Sequence, residues 1–170
     1  MTKTAIALVS LTLMVLLSAC GDKSASAQPA VASGKSETPT PAGKAYDCTY
    51  FSMNVAEGWE AGPLTFGMVN VLPKGKVSPG LYFKFEGDGH AAGTVEDSIG
   101  SMIQNYGGSP MEDTSIAGTG FKTTTYTFSG MTQTMYVAYR NGTKITITIE
   151  GPQAKDDPAI QTMIASVKLK

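Results

Sequence analysis

Across residues 48–55 the chain alternates. Phe51, Met53 and Val55 fall on one side, and Ser52 and Asn54 on the other. A period of two is that of a half-buried strand. Glu57-Gly58 then turns the chain at Trp59, the only tryptophan. Residues 66–72 read as a second strand, stopped by Pro73-Lys74-Gly75. Residues 81–86 read as a third, with Leu81, Phe83 and Phe85 inward. The period changes over residues 94–106, where Val95, Ile99, Met102, Ile103 and Tyr106 share one side of a helix. Thr94 stands at its N-cap, Asp97 completes a capping-box pair, and Gly107-Gly108 ends it. Gly100 inside weakens it by about 1 kcal/mol relative to alanine.

The two-residue period returns, weakly at 111–116 and more firmly at 121–128, 132–140 and 143–150. Ile145, Ile147 and Ile149 form one apolar row, and Met135, Val137 and Tyr139 another. If both rows share one buried face, Arg140-Asn141-Gly142 must be a three-residue loop pairing Tyr139 with Thr143 and Val137 with Ile145. Tyr136 and Ala138 weigh against this if the other face is also covered. Asp157-Pro158 opens a last helix carrying Ile160, Met163, Ile164 and Val167. Strands in runs with separate helices predict an α+β fold: a mainly antiparallel six- to seven-stranded sheet with helices packed on it.

Ahead of this domain, residues 5–17 are almost wholly apolar and follow Lys3. That is short of the roughly 20 residues a spanning helix needs, and it fits the apolar region of a secretory signal. The run ends on Leu17-Ser18-Ala19-Cys20, which resembles the bacterial lipobox. The resemblance implies cleavage between Ala19 and Cys20 and lipid on the Cys20 sulfur, with no other cofactor. It places the protein in the cell envelope, held to a membrane by acyl chains. Gly21 follows the cysteine where the inner-membrane retention pattern has aspartate. In a Gram-negative cell that favours the outer membrane, facing the periplasm. From Gly21 to about Ala45 the residues are mainly Ser, Ala, Lys, Thr, Gly and Pro, with Val31 the only large aliphatic. Such a tract cannot offset its chain entropy by burial and is expected to be a disordered tether. The expected organisation is therefore 1–19 signal, 20–45 lipidated cysteine and tether, and 46–170 a single domain.

Charge adds an exclusion. The chain has 13 Lys and Arg against 14 Asp and Glu, and loss of Lys3 with the signal leaves it one unit more negative. That argues against a nucleic-acid partner. Of the two cysteines, Cys48 has no partner once Cys20 is lipidated, and is expected as a buried free thiol on the first strand.

Phe51-Ser52-Met53-Asn54-Val55-Ala56-Glu57-Gly58-Trp59 resembles the F-x-hydrophobic-x-V-P-E-G-W opening of PsbP-like domains and DcrB-type bacterial lipoproteins, with Ala56 in place of proline. The order of later elements is similar too. The resemblance implies a PsbP-like sandwich, and a family of mostly non-catalytic accessory subunits and envelope proteins with no active-site residues to carry over.

Candidate chemistry is sparse. His90 is the only histidine, so neither a multi-histidine metal site nor a choice of catalytic bases exists. Glu86, Asp88 and His90 in a glycine-rich stretch are weak candidates for a cation, without the spacing of a calcium loop. Tyr82, Thr123, Thr125, Tyr126 and Tyr136, on strands, form a candidate recognition face. The reading is a non-catalytic envelope lipoprotein that meets a membrane through its lipid and a protein partner through its domain. A periplasmic carrier of a small ligand or metal is the alternative, and a hydrolase the least supported.

Overall fold

The computed structural model describes residues 43–87 and 93–170. In chain order these form β1 (Gly43–Asp47), β2 (Phe51–Ala56), β3 (Trp59–Ala61), β4 (Met68–Pro73), β5 (Gly80–Gly87), α1 (Val95–Tyr106), β6 (Glu112–Ile116), β7 (Thr119–Phe128), β8 (Met131–Arg140), β9 (Thr143–Glu150), a 3-10 turn (Ala154–Asp156), α2 (Pro158–Ala165) and β10 (Lys168–Leu169). Seven strands make one sheet in the order β3-β4-β5-β9-β8-β7-β6, and β1-β2-β10 make a second. The pairings are antiparallel throughout. The fold is α+β, as the element order predicts.

The large sheet is covered over part of each face, by different means. On one face Val69, Val71, Leu81, Phe83, Ile145, Ile147 and Ile149 meet β2 and α2, with Phe51, Met53, Ile160 and Met163 fully or almost fully buried. The Phe51 ring stacks 4.3 Å from Phe83. Each such side chain contributes about 1.5–3 kcal/mol through burial, so this seam is the main core. On the opposite face α1 lays Ile99 against Tyr126, Met135 and Val137, with Val95, Met102 and Ile103 at its margin. Its start is fixed as expected. The Thr94 hydroxyl accepts from the Asp97 amide at 3.1 Å, and the Asp97 carboxylate accepts from the Thr94 amide at 3.0 Å. Gly107 closes the helix at φ 63°. Asp157 caps α2 by accepting from the amides of Ala159 and Ile160, and Pro158 takes the first turn.

That second cover overturns the expected hairpin register. Arg140 pairs with Thr143, Ala138 with Ile145 and Val137 with Thr146. The turn has two residues, Asn141 at φ 50° and Gly142 at φ 74°, the left-handed pair that an Asn-Gly turn favours. The isoleucine row therefore faces β2 and α2 alongside Ala138 and Tyr136. Met135 and Val137 face α1 instead. The three-residue loop assumed a single covered face, and the sheet has two.

Three smaller corrections follow. Phe66 is not in a strand. It sits at φ 49° in a turn whose flanking residues, Thr65 and Met68, exchange amide hydrogen bonds of 2.9 Å, and it is 95% exposed. An ordered strand already begins at Gly43, ahead of the expected start at 46, and pairs along its length with β2. Cys48 is half-buried in the turn between β1 and β2 rather than on a strand, and its thiol is free.

Candidate functional site

Pairing decides which of the expected recognition residues share a face. Thr123 lies opposite Tyr136, and Thr125 opposite Thr134. Tyr82 lies opposite Thr148, which in turn lies opposite Met135. Because neighbours along a strand alternate, Thr123, Thr125 and Tyr136 share the β2 side of the sheet, while Tyr82 and Tyr126 share the α1 side. The five residues do not form one surface.

Tyr82 and Tyr126 are absorbed by structure. Tyr126 is buried beneath α1, 5.8 Å from the Tyr106 ring. Its hydroxyl donates to Gln133 Oε1 at 2.7 Å, and Gln133 Nε2 donates to Glu150 Oε2 at 2.7 Å. Tyr82 donates to the other oxygen of Glu150 at 3.4 Å. Its ring lies over Gly80, where a Cβ would come within 2.5 Å of it. Burial pushes both phenols above the ordinary tyrosine value; the Glu150 charge adds to this for Tyr82, and Tyr106 and then Glu150 add to it for Tyr126. The result is a polar chain across four strands, with both phenols kept as donors.

Thr123, Thr125 and Tyr136 come together, and in company. They line a hollow of about 400 Å³ with Ser109, Glu112, Thr114, Thr134 and Lys155. Glu112 lies opposite Thr123 across the edge pair β6-β7. The Thr125 and Thr134 hydroxyls are 2.9 Å apart, and Ser109 Oγ accepts from the Thr125 amide at 3.0 Å. Thr123 Oγ1 is different. It is shut off from solvent, and it is the one such side-chain oxygen or nitrogen among the described residues without a hydrogen-bond partner. A buried, unsatisfied hydroxyl costs roughly 1–3 kcal/mol, so its position asks for an explanation. Burial pushes the Tyr136 phenol up, and the nearby Asp156 charge adds to the shift. It stays protonated and available to donate. Asp113, also in the lining, is tied to Lys122 at 2.6 Å. That leaves Glu112 and Lys155 as the lining charges, one of each sign. Alternation along β8 would have found Thr134; Ser109 reaches the hollow from a loop and Lys155 from the 3-10 turn, and neither carries a sequence signal.

A wider groove of about 830 Å³ lies elsewhere, lined by β1, the Glu57-Gly58 turn, Trp59 and Lys74. It holds no stranded polar atom, so the smaller hollow is the better candidate. Of the weak cation set, Glu86 bonds Lys84 at 2.9 Å and Lys144 at 3.5 Å. Burial pushes its carboxyl up, but Lys84 and then Lys144 outweigh that and hold it below the ordinary glutamate value. Two ammonium groups make a poor setting for a metal. Asp88 and His90 lie outside the described residues, as do Ala19 and Cys20. No helix among the described residues is long and apolar enough to cross a membrane.

These features define a class: an antiparallel sheet, one helix on each face, and a small strand layer closing the main core. No family model matches the chain, and no curated protein matches it. Solved structures do. Cyanobacterial PsbP from Synechocystis is similar over 75% of this chain and 92% of its own, at 13% identity and TM-score 0.52. A Bacteroides thetaiotaomicron protein is similar over 75% of this chain at 14% identity and TM-score 0.50. The chain covers about half of that protein's length, 48%. LpqN of Mycobacterium tuberculosis, described as involved in cell envelope biogenesis, matches at 11% identity over 76% of this chain and 86% of its own, with TM-score 0.43. The fold is PsbP-like.

Proposed function

We propose that this is a non-catalytic, lipid-anchored binding module of the cell envelope, moored through Cys20 and recognising a protein partner with its PsbP-like domain. The observation that carries it is the apolar run ending on Leu17-Ser18-Ala19-Cys20, followed directly by a polar, proline-dotted tract. Two or three acyl chains make attachment long-lived where one gives only marginal binding. The described site fits binding rather than turnover: the hydroxyls of Ser109, Thr125 and Thr134 are bonded to one another or to backbone rather than to a base. Cys20→Ser tests the anchor. The variant is expected to leave the membrane fraction and appear as a soluble exported product; a variant that sediments with membranes as before refutes the anchor. Crosslinking in intact cells is then expected to recover a second envelope protein, and recovery of this chain alone counts against the partner.

A second reading, a small-ligand carrier, is favoured by one observation. The hollow under the 3-10 turn holds a hydroxyl with nothing to bond.

A further inference from the structure

We infer that the hollow between Tyr136, Thr123 and Lys155 takes a neutral, hydroxyl-rich ring ligand, a saccharide in chemical class. The inference rests on the carrier reading above and names what would be carried. The argument starts from the lining. Hydroxyls both donate and accept, and seven of the ten residues lining the hollow carry one, Thr114, Thr123 and Tyr136 among them. Glu112 adds an acceptor and Lys155 a donor. With one charge of each sign there, and Asp113 already paired to Lys122, neither an anion nor a cation is selected. A greasy ligand is not selected either, because the hydroxyls that open onto the hollow would then lose water without compensation.

Size agrees. A hollow of about 400 Å³ falls at the lower end of the roughly 300–1,000 Å³ usual for ligand clefts. Tyr136 contributes a half-buried ring as well as a donor that remains protonated. Thr125 and Thr134 already bond each other at 2.9 Å, and Ser109 is engaged by the Thr125 amide. These groups are braced in place before a ligand arrives. Thr123 Oγ1 is not braced. It sits between Glu112 and Tyr136 in the pairing of β6, β7 and β8, where a small opening of the hollow would let a ring hydroxyl reach it. The missing partner is thereby supplied by the ligand, and the cost of leaving the group unsatisfied is relieved on binding.

The test uses the full chain solubilised in detergent. Saturation-transfer NMR is run with maltose and with N-acetylglucosamine, and with inorganic phosphate and spermidine as charged competitors. Saturable transfer to sugar ring protons is expected, undisturbed by either charged competitor. Thr123→Val keeps the side-chain shape and removes the hydroxyl. It is expected to weaken sugar binding about tenfold or more, while the thermal midpoint holds or rises, because an unsatisfied group has been removed. Tyr136→Phe should weaken binding with the fold intact. Undiminished sugar binding by Thr123→Val overturns the site. Absence of sugar binding, while native mass spectrometry of the protein from its own host shows a different bound species, overturns the ligand class and leaves the carrier reading standing. Absence of any bound species in both measurements overturns the carrier reading with it.

Discussion

At the scale of the residue, ionic side chains are held by specific neighbours, and the pH dependence follows. Glu86 lies below its ordinary value because of Lys84 and Lys144, and Asp97 because of hydrogen bonds from Thr94, backbone first and hydroxyl second. A carboxylate lowered in the folded state favours folding above its unfolded value and loses that contribution as pH falls through the folded value. Stability should therefore be level above the usual carboxylate range, about pH 4–5, and decline below it. Urea midpoints at pH 7 and pH 3 measure this. Glu86→Gln and Asp97→Asn should each shrink the difference between the two midpoints, and an unchanged difference would remove the assigned cause. Tyr82, Tyr126 and Tyr136 show where reading from the chain alone stops. Each was legible as a strand residue. Which face each takes depends on register across four strands, and a local pattern does not hold that information.

At the scale of the element, two glycines predict opposite outcomes for one substitution. Gly100 is inside α1, and a Cβ there meets nothing within 4 Å. Gly100→Ala should stabilise the protein by about 0.5–1 kcal/mol by removing freedom from the unfolded chain. Gly142 sits at φ 74° in the β8-β9 turn. Gly142→Ala should destabilise by about 1–2 kcal/mol, the cost of a left-handed conformation for a residue with a Cβ. Paired thermal or urea melts decide both signs. Elements with strong local signals were legible: β2 from its alternation, α1 from Thr94, Asp97 and Gly107, and α2 from Asp157-Pro158. The short ones were not. Residues 43–47 contain one aromatic and no apolar period, β3 has three residues and β10 two, so only pairing with neighbours makes them strands. The hairpin failed for another reason. Two apolar rows on successive strands read as one face when a second cover is not foreseen, and α1 is that cover.

At the scale of the whole molecule, the two cores carry unequal weight. Phe51 is fully buried where the small sheet meets the large one, with Phe83 and Phe85 stacked on it. Phe51→Ala should cost about 3–5 kcal/mol, a large share of the total for a domain of this size. Ile99→Ala, under α1, should cost about 2–5 kcal/mol and release mainly that helix. Hydrogen exchange separates the cases: in the Ile99 variant amides of β2 should stay protected while those of α1 open, and equal loss in both would merge the two cores into one.

The small sheet joins residues far apart in the polypeptide. Leu169 pairs with Phe51, the Lys170 amide donates to the Tyr50 carbonyl, and the Lys170 ammonium lies 2.8 Å from Asp47. Contacts of such long range form late and slow the search for the native state. A ribosome that has delivered everything up to α2 has therefore still not supplied the strand that completes the β2 layer. Until it does, β2 lacks its partner on that side, and the layer over Phe51 stays open along one edge.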